Sequence, residues 1–245
     1  MKAMVLAAGR GERLRPITDQ TPKALIPVAG RPMIEYPLLL LRHAGITEIV
    51  INLHHLGAQI EDYLGDGRRL GLKIHYSREE RLLDTGGAVR RAKPFLGDGT
   101  FIIINSDVLI DLRLQDLIAF HSRREAVATL VLRPDEKAEE FGAIECAEDG
   151  RIHRFLNVDI RTGSRAASKK RMFTGLQVIA PSIFDFMEED GPFSLTRGTY
   201  ARLVALGKPL YGFDYFGFWQ DLGTAERIKQ AEETLRREEV RLHYL

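Results

Sequence analysis

Lys2-Ala3-Met4-Val5-Leu6-Ala7-Ala8-Gly9-Arg10-Gly11-Glu12-Arg13-Leu14-Arg15-Pro16 begins as a short apolar run and breaks into a loop of glycines and arginines. Ala3 to Ala7 has strand length. The small residues after it let backbone N–H groups approach an anion, and successive amides can form a cationic concavity. Two familiar phosphate-binding patterns do not fit. A dinucleotide fingerprint needs a third glycine where Leu14 stands, and no Gly-Lys-Ser/Thr comes after it to make a P-loop. The chain instead places Arg13, Arg15 and then Lys23, the last within Thr21-Pro22-Lys23-Ala24-Leu25-Ile26-Pro27-Val28. Pro16, Pro22, Pro27 and Pro32 predict an extended, stiff segment rather than a helix. Three cations on a rigid loop beside a glycine turn suit a polyphosphate. A solvated, arginine-rich turn is the other account that composition alone leaves open.

Outward from this loop, short apolar runs alternate with longer amphipathic segments. Helices are expected over about 33–44, 56–64 and 86–94, with Gly45 and Gly97 placed to end the first and last. Ile49 to Leu53, Lys73 to Tyr76 and Phe101 to Asn105 read as strands, the last with the unbroken apolar character of a strand covered on both faces. This β-α-β-α order predicts an α/β fold of three layers, α/β/α, around a mainly parallel sheet. The second half is more mixed. Strands are expected over 126–132 and 174–179, a hairpin around Glu148-Asp149-Gly150, a basic loop over 163–171 and a charged helix over 224–240. Without a repeat or a low-complexity linker, one domain over 1–245 is expected. Its second half would add a small β-rich subregion.

Bulk properties bound the partners. The 245 residues include 44% hydrophobic and 28% charged side chains, the balance of an ordinary globular protein. Lys plus Arg (35) nearly equals Asp plus Glu (34), so no global field favours nucleic acid or an anionic membrane. A phosphate site must arise from local clustering. The single Cys146 cannot form an intrachain disulfide, which fits a reducing compartment, and it reads as a small packed side chain. No signal-peptide pattern precedes the loop and no apolar stretch approaches the roughly 20 residues of a spanning helix, so a cytoplasmic location is expected.

A longer pattern then becomes specific. Leu6-Ala7-Ala8-Gly9-x-Gly11-x-Arg13-Leu14-Arg15-Pro16, continued by Pro22-Lys23-x-Leu25-x-Pro27-Val28-x-Gly30-x-Pro32-x-Ile34-Glu35-Tyr36, resembles the signature of the sugar-phosphate nucleotidyltransferase family. The likeness extends loosely to Trp219-x-Asp221-x-Gly223-Thr224. The resemblance implies a Rossmann-like nucleotidyltransferase fold with a nucleotide-binding half (1–110), a sugar-phosphate-binding half (111–223) and a C-terminal helix (224–245). It also implies joining of a nucleoside triphosphate and a sugar 1-phosphate, with release of pyrophosphate and Mg²⁺ as cofactor. Leu6, Ala7, Ala8, Gly9, Gly11, Glu12 and Arg13 would wrap the triphosphate, and Lys23 would bridge the α-phosphate and the sugar phosphate. Arg suits a bidentate grip on phosphate oxygens, while Lys acts as a compact point charge.

Asp107 ends the apolar run at the carboxyl end of a strand, where open α/β sheets bind ligands. By resemblance it holds Mg²⁺ jointly with Asp221, and Ser106 stands where the family commonly has glycine before that aspartate. Asp84-Thr85-Gly86-Gly87 resembles the segment lining the family's nucleobase pocket, the glycines permitting close backbone contact; it does not select a base. As a bland alternative, Asp84 or Thr85 caps a helix. On the sugar side, Phe141-Gly142-Ala143-Ile144-Glu145 resembles a family motif whose glycine backs the sugar, and Thr174-Gly175 precedes the strand holding the sugar ring. The family's Glu-Lys-Pro signature is missing. Phe155-Leu156-Asn157 stands in its region, with Asn157 as a candidate donor to a sugar hydroxyl.

Other features take structural readings. Asp111 is expected to cap a helix beginning at Leu112, His54-His55 to end a strand rather than bind metal, and Tyr211 to Trp219 to pack as an aromatic cluster around Asp221. A catalytically silent binding subunit and a phosphocholine-type cytidylyltransferase remain as rival functions. Leu14 and the cationic loop disfavour a dehydrogenase. Base, sugar and homo-oligomer formation stay open.

Overall fold

The computed structural model describes residues 1–134, 144–160 and 170–245. In chain order, β1 (Lys2–Leu6) leads through a small hairpin, β2 (Pro27–Val28) and β3 (Arg31–Pro32), into α1 (Glu35–His43). Then come β4 (Glu48–Leu53), α2 (Gly57–Leu64), β5 (Lys73–Arg78), α3 (Asp84–Leu96), β6 (Phe101–Asn105), β7 (Val108–Ile110) and α4 (Leu114–Arg123). The second half holds β8 (Ala128–Pro134), β9 (Ile144–Cys146), β10 (Ile152–Phe155), β11 (Val158–Asp159) and β12 (Arg171–Ile179). It ends with α5 (Ala201–Ala205), β13 (Leu210–Asp214), β14 (Trp219–Asp221) and α6 (Ala225–Arg236).

β5, β4, β1 and β6 lie side by side and parallel. β12 joins β6 antiparallel, and β8 and β13 continue beyond it, so β12 is the strand reversed within an otherwise parallel platform. The β9–β10–β11 meander hangs from the Arg171 end of β12. Burial on two faces explains the continuous apolar runs. Ala3, Val5, Ile102 and Ile104 enter one core with α1, α2 and α4, whereas Met4, Phe101 and Ile103 enter a second core with α3 and the 183–204 segment. The expected three-layer α/β/α architecture is therefore observed, with period-2 alternation choosing the core for each side chain. No helix among the described residues is long and apolar enough to cross a membrane.

The structure departs from the sequence reading in several places. The proline-marked segment is not simply extended: Ile17–Asp19 and Lys23–Leu25 are single 3-10 turns entered from Pro16 and Pro22. Proline excludes a long helix, yet its missing N–H costs nothing at the start of one turn. α4 begins at Leu114, so Asp111 caps no helix. Its carboxylate instead accepts from the His243 backbone N–H at 2.9 Å and pins the C-terminal tail, where Tyr244 is buried. The last helix stops at Arg236, earlier than its charge pattern suggested. Cys146 packs against Gly212, and burial pushes its thiol up to about 12, leaving it protonated and inert near neutral pH.

Candidate functional site

β1 leads away to β4 on one side, while β6 lies on its other side, so the sheet order reverses between β1 and β6. A crevice at the carboxyl ends of these two strands results from that topology. A cavity of about 730 Å³ opens there, lined by Leu6 to Arg13, Lys23, Asn52, Glu79, Asp84, Thr85, Asn105 to Asp107 and Gly223. Its floor is tied by a buried chain of hydrogen bonds. The Ala7 N–H donates to Asn52 Oδ1 at 2.8 Å, Asn52 Nδ2 to Glu79 Oε1 at 2.8 Å, and the Leu83 N–H to Glu79 Oε2 at 2.9 Å. Three strand ends and the entry to α3 are thereby fixed around one space.

The two loop glycines differ. Gly11 sits at φ +64°, and a Cβ there would lie 2.8 Å from Thr18 Cγ2 and 3.0 Å from Lys23 Cβ. Only glycine takes that conformation and approach without strain. At Gly9 a Cβ would meet no protein atom within 4 Å, so the room beside it belongs to the cavity.

Lys23, on its 3-10 turn, reaches across to the Asp107 carboxylate, and both side chains are largely buried. β7 and β14 form a separate two-stranded ribbon that brings the second acid alongside the first. Asp221 pairs with Val108, and the Leu222 N–H donates to the Asp107 carbonyl at 2.9 Å. Asp221 Oδ1 in turn accepts from Arg227 Nη1 at 2.6 Å and from the Gly223 N–H at 2.9 Å. A Cβ on Gly223 would lie 2.5 Å from Arg13 Nη2 and 2.6 Å from Asp221 Oδ1, so Arg13 closes over the same point. A second cavity of about 350 Å³ adjoins here, lined by Arg13, Asn105, Thr174, Gly175, Arg197, Trp219, Asp221 and Arg227 against an apolar wall that includes Ile144, Phe155 and Phe173. Arg13 and Asn105 line both cavities.

The remaining sequence-predicted residues divide. Glu12, Asp84 and Thr85 line the larger cavity. Gly86 and Gly87 face the 191–193 segment instead: a Cβ on Gly86 would fall 2.2 Å from the Phe193 ring, and one on Gly87 would fall 2.5 Å from the Gly191 carbonyl oxygen. The fold itself requires glycine at both positions. α3 is entered from Leu83 without a side-chain cap; the Asp84 carboxylate accepts from the Thr85 N–H at 2.6 Å, and Thr85 Oγ1 accepts from the Leu195 N–H at 3.0 Å. Thr174 and Gly175 line the smaller cavity, although the Thr174 hydroxyl is engaged with the Val131 carbonyl at 2.9 Å. Gly175, at φ +87°, sits where the pairing of β12 with β8 shifts register. Asn157 is exposed in the β10–β11 turn, and its neighbour Leu156 lines the cavity. Gly142 and most of the 163–171 segment lie outside the described residues.

Arg15 lines neither cavity and pairs with Asp19 at 3.4 Å on the surface. Glu35, within the same signature, is buried under Arg69 at 2.6 Å, Tyr63 at 2.8 Å and Arg31 at 2.9 Å, away from both cavities. His54 and His55 end β4 as expected and donate to the Glu79 and Thr18 carbonyls at 3.0 and 2.9 Å. Ser106 keeps an ordinary backbone conformation, so it replaces glycine without strain. Sequence reasoning missed Asn52, Glu79, Asn105, Arg197 and Arg227. A polar residue ending an apolar strand was a usable signal for Asn52 and Asn105; nothing local marked the others.

The two acids offer hard oxygen donors of the kind that could hold a divalent cation, which as Mg²⁺ takes few protein carboxylates and completes its octahedron with phosphate and water. Among the described residues no cluster of three or more acids, histidines or cysteines offers a fuller cage. Each carboxylate carries a cationic side chain, so the pair already attracts positive charge.

A family profile described as nucleotidyl transferase matches residues 2–238. An N-acetylmuramate α-1-phosphate uridylyltransferase of Neisseria meningitidis serogroup B is 37% identical over 243 residues, covering 95% of this chain and 97% of that protein. A UTP–glucose-1-phosphate uridylyltransferase of Synechocystis is 32% identical over 244 residues, covering 94% of this chain and 62% of that one. The chain thus spans about three fifths of that longer relative. A crystal structure of HddC from Yersinia pseudotuberculosis, complexed with GMP-PN, aligns with a TM-score of 0.73 at 21% identity, covering 96% of this chain and 99% of that one. A Bacillus anthracis protein assigned as a glucose-1-phosphate thymidylyltransferase and crystallised with sucrose aligns at 0.80 with 22% identity, covering 97% and 96% of the two chains. At those identities the likeness is one of fold.

Proposed function

The chain belongs to the nucleotidyl transferase family, and on that premise we propose that it joins a nucleoside triphosphate to a sugar 1-phosphate, forming a nucleotide sugar and pyrophosphate. One observation carries the reading: two adjoining cavities meet at Arg13 and Asn105, with one cation–carboxylate pair in each. The larger cavity takes the triphosphate, the smaller one the sugar phosphate.

An oxygen of the sugar phosphate attacks the α-phosphorus in line, and the bond to the β-phosphate oxygen breaks. The nucleophile is already largely anionic at neutral pH, because a phosphate monoester's second pKa is about 6. No general base is needed, and among the described residues no Ser-His-Asp or Cys-His arrangement lines the cavities. The barrier is repulsion between two anions and charge building on the leaving group. Lys23 and Arg13 offset that charge from fixed positions, and the amides of Ala8 to Gly11 cradle the phosphates, the Ala7 N–H being held by Asn52. Asp107 and Asp221 would hold Mg²⁺, which when bound neutralises phosphate charge as a Lewis acid.

UTP with N-acetylmuramate 1-phosphate heads the substrate pairs, supported by the relative matched along almost its whole length. The test is a matrix of nucleoside triphosphates against several sugar 1-phosphates, read by pyrophosphate release. Release that depends on both substrates is expected, with UTP strongest. Binding of both without release by any pair would turn the reading into that of a silent binding subunit.

A further inference from the structure

Both acids at the cavity junction are held by a cation of this chain, and the two arrangements are parallel. In the larger cavity Asp107 holds Lys23; in the smaller one Asp221 holds Arg227, with Nη1 to Oδ1 at 2.6 Å. Arg227 comes from the first turn of α6, whose Thr224 cap accepts the Arg227 N–H at 3.3 Å. A cation there opposes the helix dipole, which favours negative charge at a helix N-terminus. The fold thus places this arginine at a local electrostatic cost, with its side chain half-buried against a cavity rather than in solvent.

We propose that Arg227 is a substrate-binding residue that grips the phosphate of the sugar 1-phosphate, and that Asp221 holds it in readiness; this rests on the reaction proposed above. When Asp221 is engaged by a divalent cation, the Arg227 guanidinium is freed of its carboxylate partner inside the smaller cavity. Its planar fork then matches the oxygens of a phosphate monoester bidentately, which a lysine would not do. Among the described residues, the other cations of that cavity are Arg13, at the junction with the larger cavity, and Arg197, on the 195–200 segment. Arg227 is the one tied directly to the metal-site carboxylate. The exchange also leaves each charge with a partner. Asp221 passes from one positive partner to another, and the released cation meets the incoming dianion, so no charge is left bare in a partly buried site.

The experiment compares Arg227→Met and Arg227→Lys with the unaltered chain, using the best sugar 1-phosphate from the substrate matrix and Mg²⁺. Steady-state KM is measured for each substrate, calorimetric binding of the sugar 1-phosphate is measured without nucleotide, and thermal stability is recorded. Arg227→Met should raise the sugar-phosphate KM and Kd at least tenfold and leave the nucleotide KM within about twofold. Arg227→Lys should recover part of the loss. An unchanged sugar-phosphate Kd would overturn the proposal, as would an equal rise in both KM values together with a fallen Tm, the pattern of a purely structural clamp on α6. If the unaltered chain binds sugar phosphate yet makes no nucleotide sugar, the proposed reaction fails while the calorimetric comparison still decides the role of Arg227.

Discussion

The two cavities that meet at Arg13 are built on opposite plans. The larger is built around one contiguous stretch, Leu6 to Arg13, whose backbone continues β1 without interruption. The smaller is gathered from β6, β7, the β10 turn, β12, the 195–200 segment, β14 and α6, and no two of its charged residues are neighbours in sequence. On the proposed reading, a loop that wraps a polyphosphate with its own amides has to be contiguous, so it leaves a motif. A pocket for a sugar would need side chains converging from many directions, and its residues carry no fixed spacing.

The heaviest blow to this contrast comes from the two cation–carboxylate pairs, one per cavity. Lys23→Ala and Asp221→Ala should each lower kcat at least about 100-fold, as loss of a major electrostatic group does. Near wild-type pyrophosphate release by either variant would break both the assignment and the parallel between the pairs. Next in size are changes to the packed glycines. Gly86→Ala would drive a methyl group into the Phe193 ring, with an expected cost of about 1–3 kcal/mol in thermal or urea unfolding whether or not nucleotide is present. Gly11→Ala should destabilise by a similar amount and displace Lys23 as well. Gly9→Ala has open space in the protein, so stability should stay within about 0.5 kcal/mol. Its effect should fall on the nucleotide KM, and an unaltered KM would remove Gly9 from the binding loop.

A smaller change tests the floor the larger cavity stands on. Asn52→Ala leaves the Ala7 N–H and one Glu79 oxygen without their buried partner, and about 1–3 kcal/mol should be lost. Both KM values should change less than stability does. The smallest effect lies outside both cavities and serves as their control. Burial pushes His121, on α4 beside Thr129, down to about 4 from an ordinary 6.5. The unfolded chain therefore binds a proton that the folded chain refuses. Stability from keeping this ring neutral is full above about pH 6.5 and falls as pH drops towards 4. His121→Gln should flatten that acid slope in Tm measurements without altering the pH profile of catalysis; an unchanged slope would remove His121 as its source.

Legibility tracked locality. The parallel half of the sheet, its helices and the hairpin at Glu148 to Gly150 could be read because burial on two faces imposes continuous apolar strands and a 3.6-residue helical period. The β7–β14 ribbon could not. Its partners lie about a hundred residues apart, and each strand has three residues, too few to show a period. The signature itself mixed two kinds of residue that only the structure separates. Arg13 and Lys23 face the cavity, whereas Glu35 and Tyr36 are buried away from it, holding Arg69 and the Val28 carbonyl. Gly86 and Gly87 likewise read as ligand-facing glycines, and the close approach of the loop at Gly191 to Phe193 is a reason for glycine at both that the sequence did not show. A pattern of residue types records that a side chain is constrained, not by what.

By itself, the sequence determined the layer order of the fold, the glycine- and arginine-bearing loop after β1 and two cations, Arg13 and Lys23, that line the cavity beside it. These depend on short-range geometry: the reach of a strand, the freedom of a glycine, the stiffness of a proline. Tertiary structure alone decided that Asp107, in the turn before β7, and Asp221, on β14, are brought side by side, that each is matched by its own cation, and that Asn52 and Glu79 tie three strand ends under the cavity. Charges interact through space, with an energy set by distance and burial rather than by position along the chain, so no spacing in the sequence could have shown which acid would meet which base.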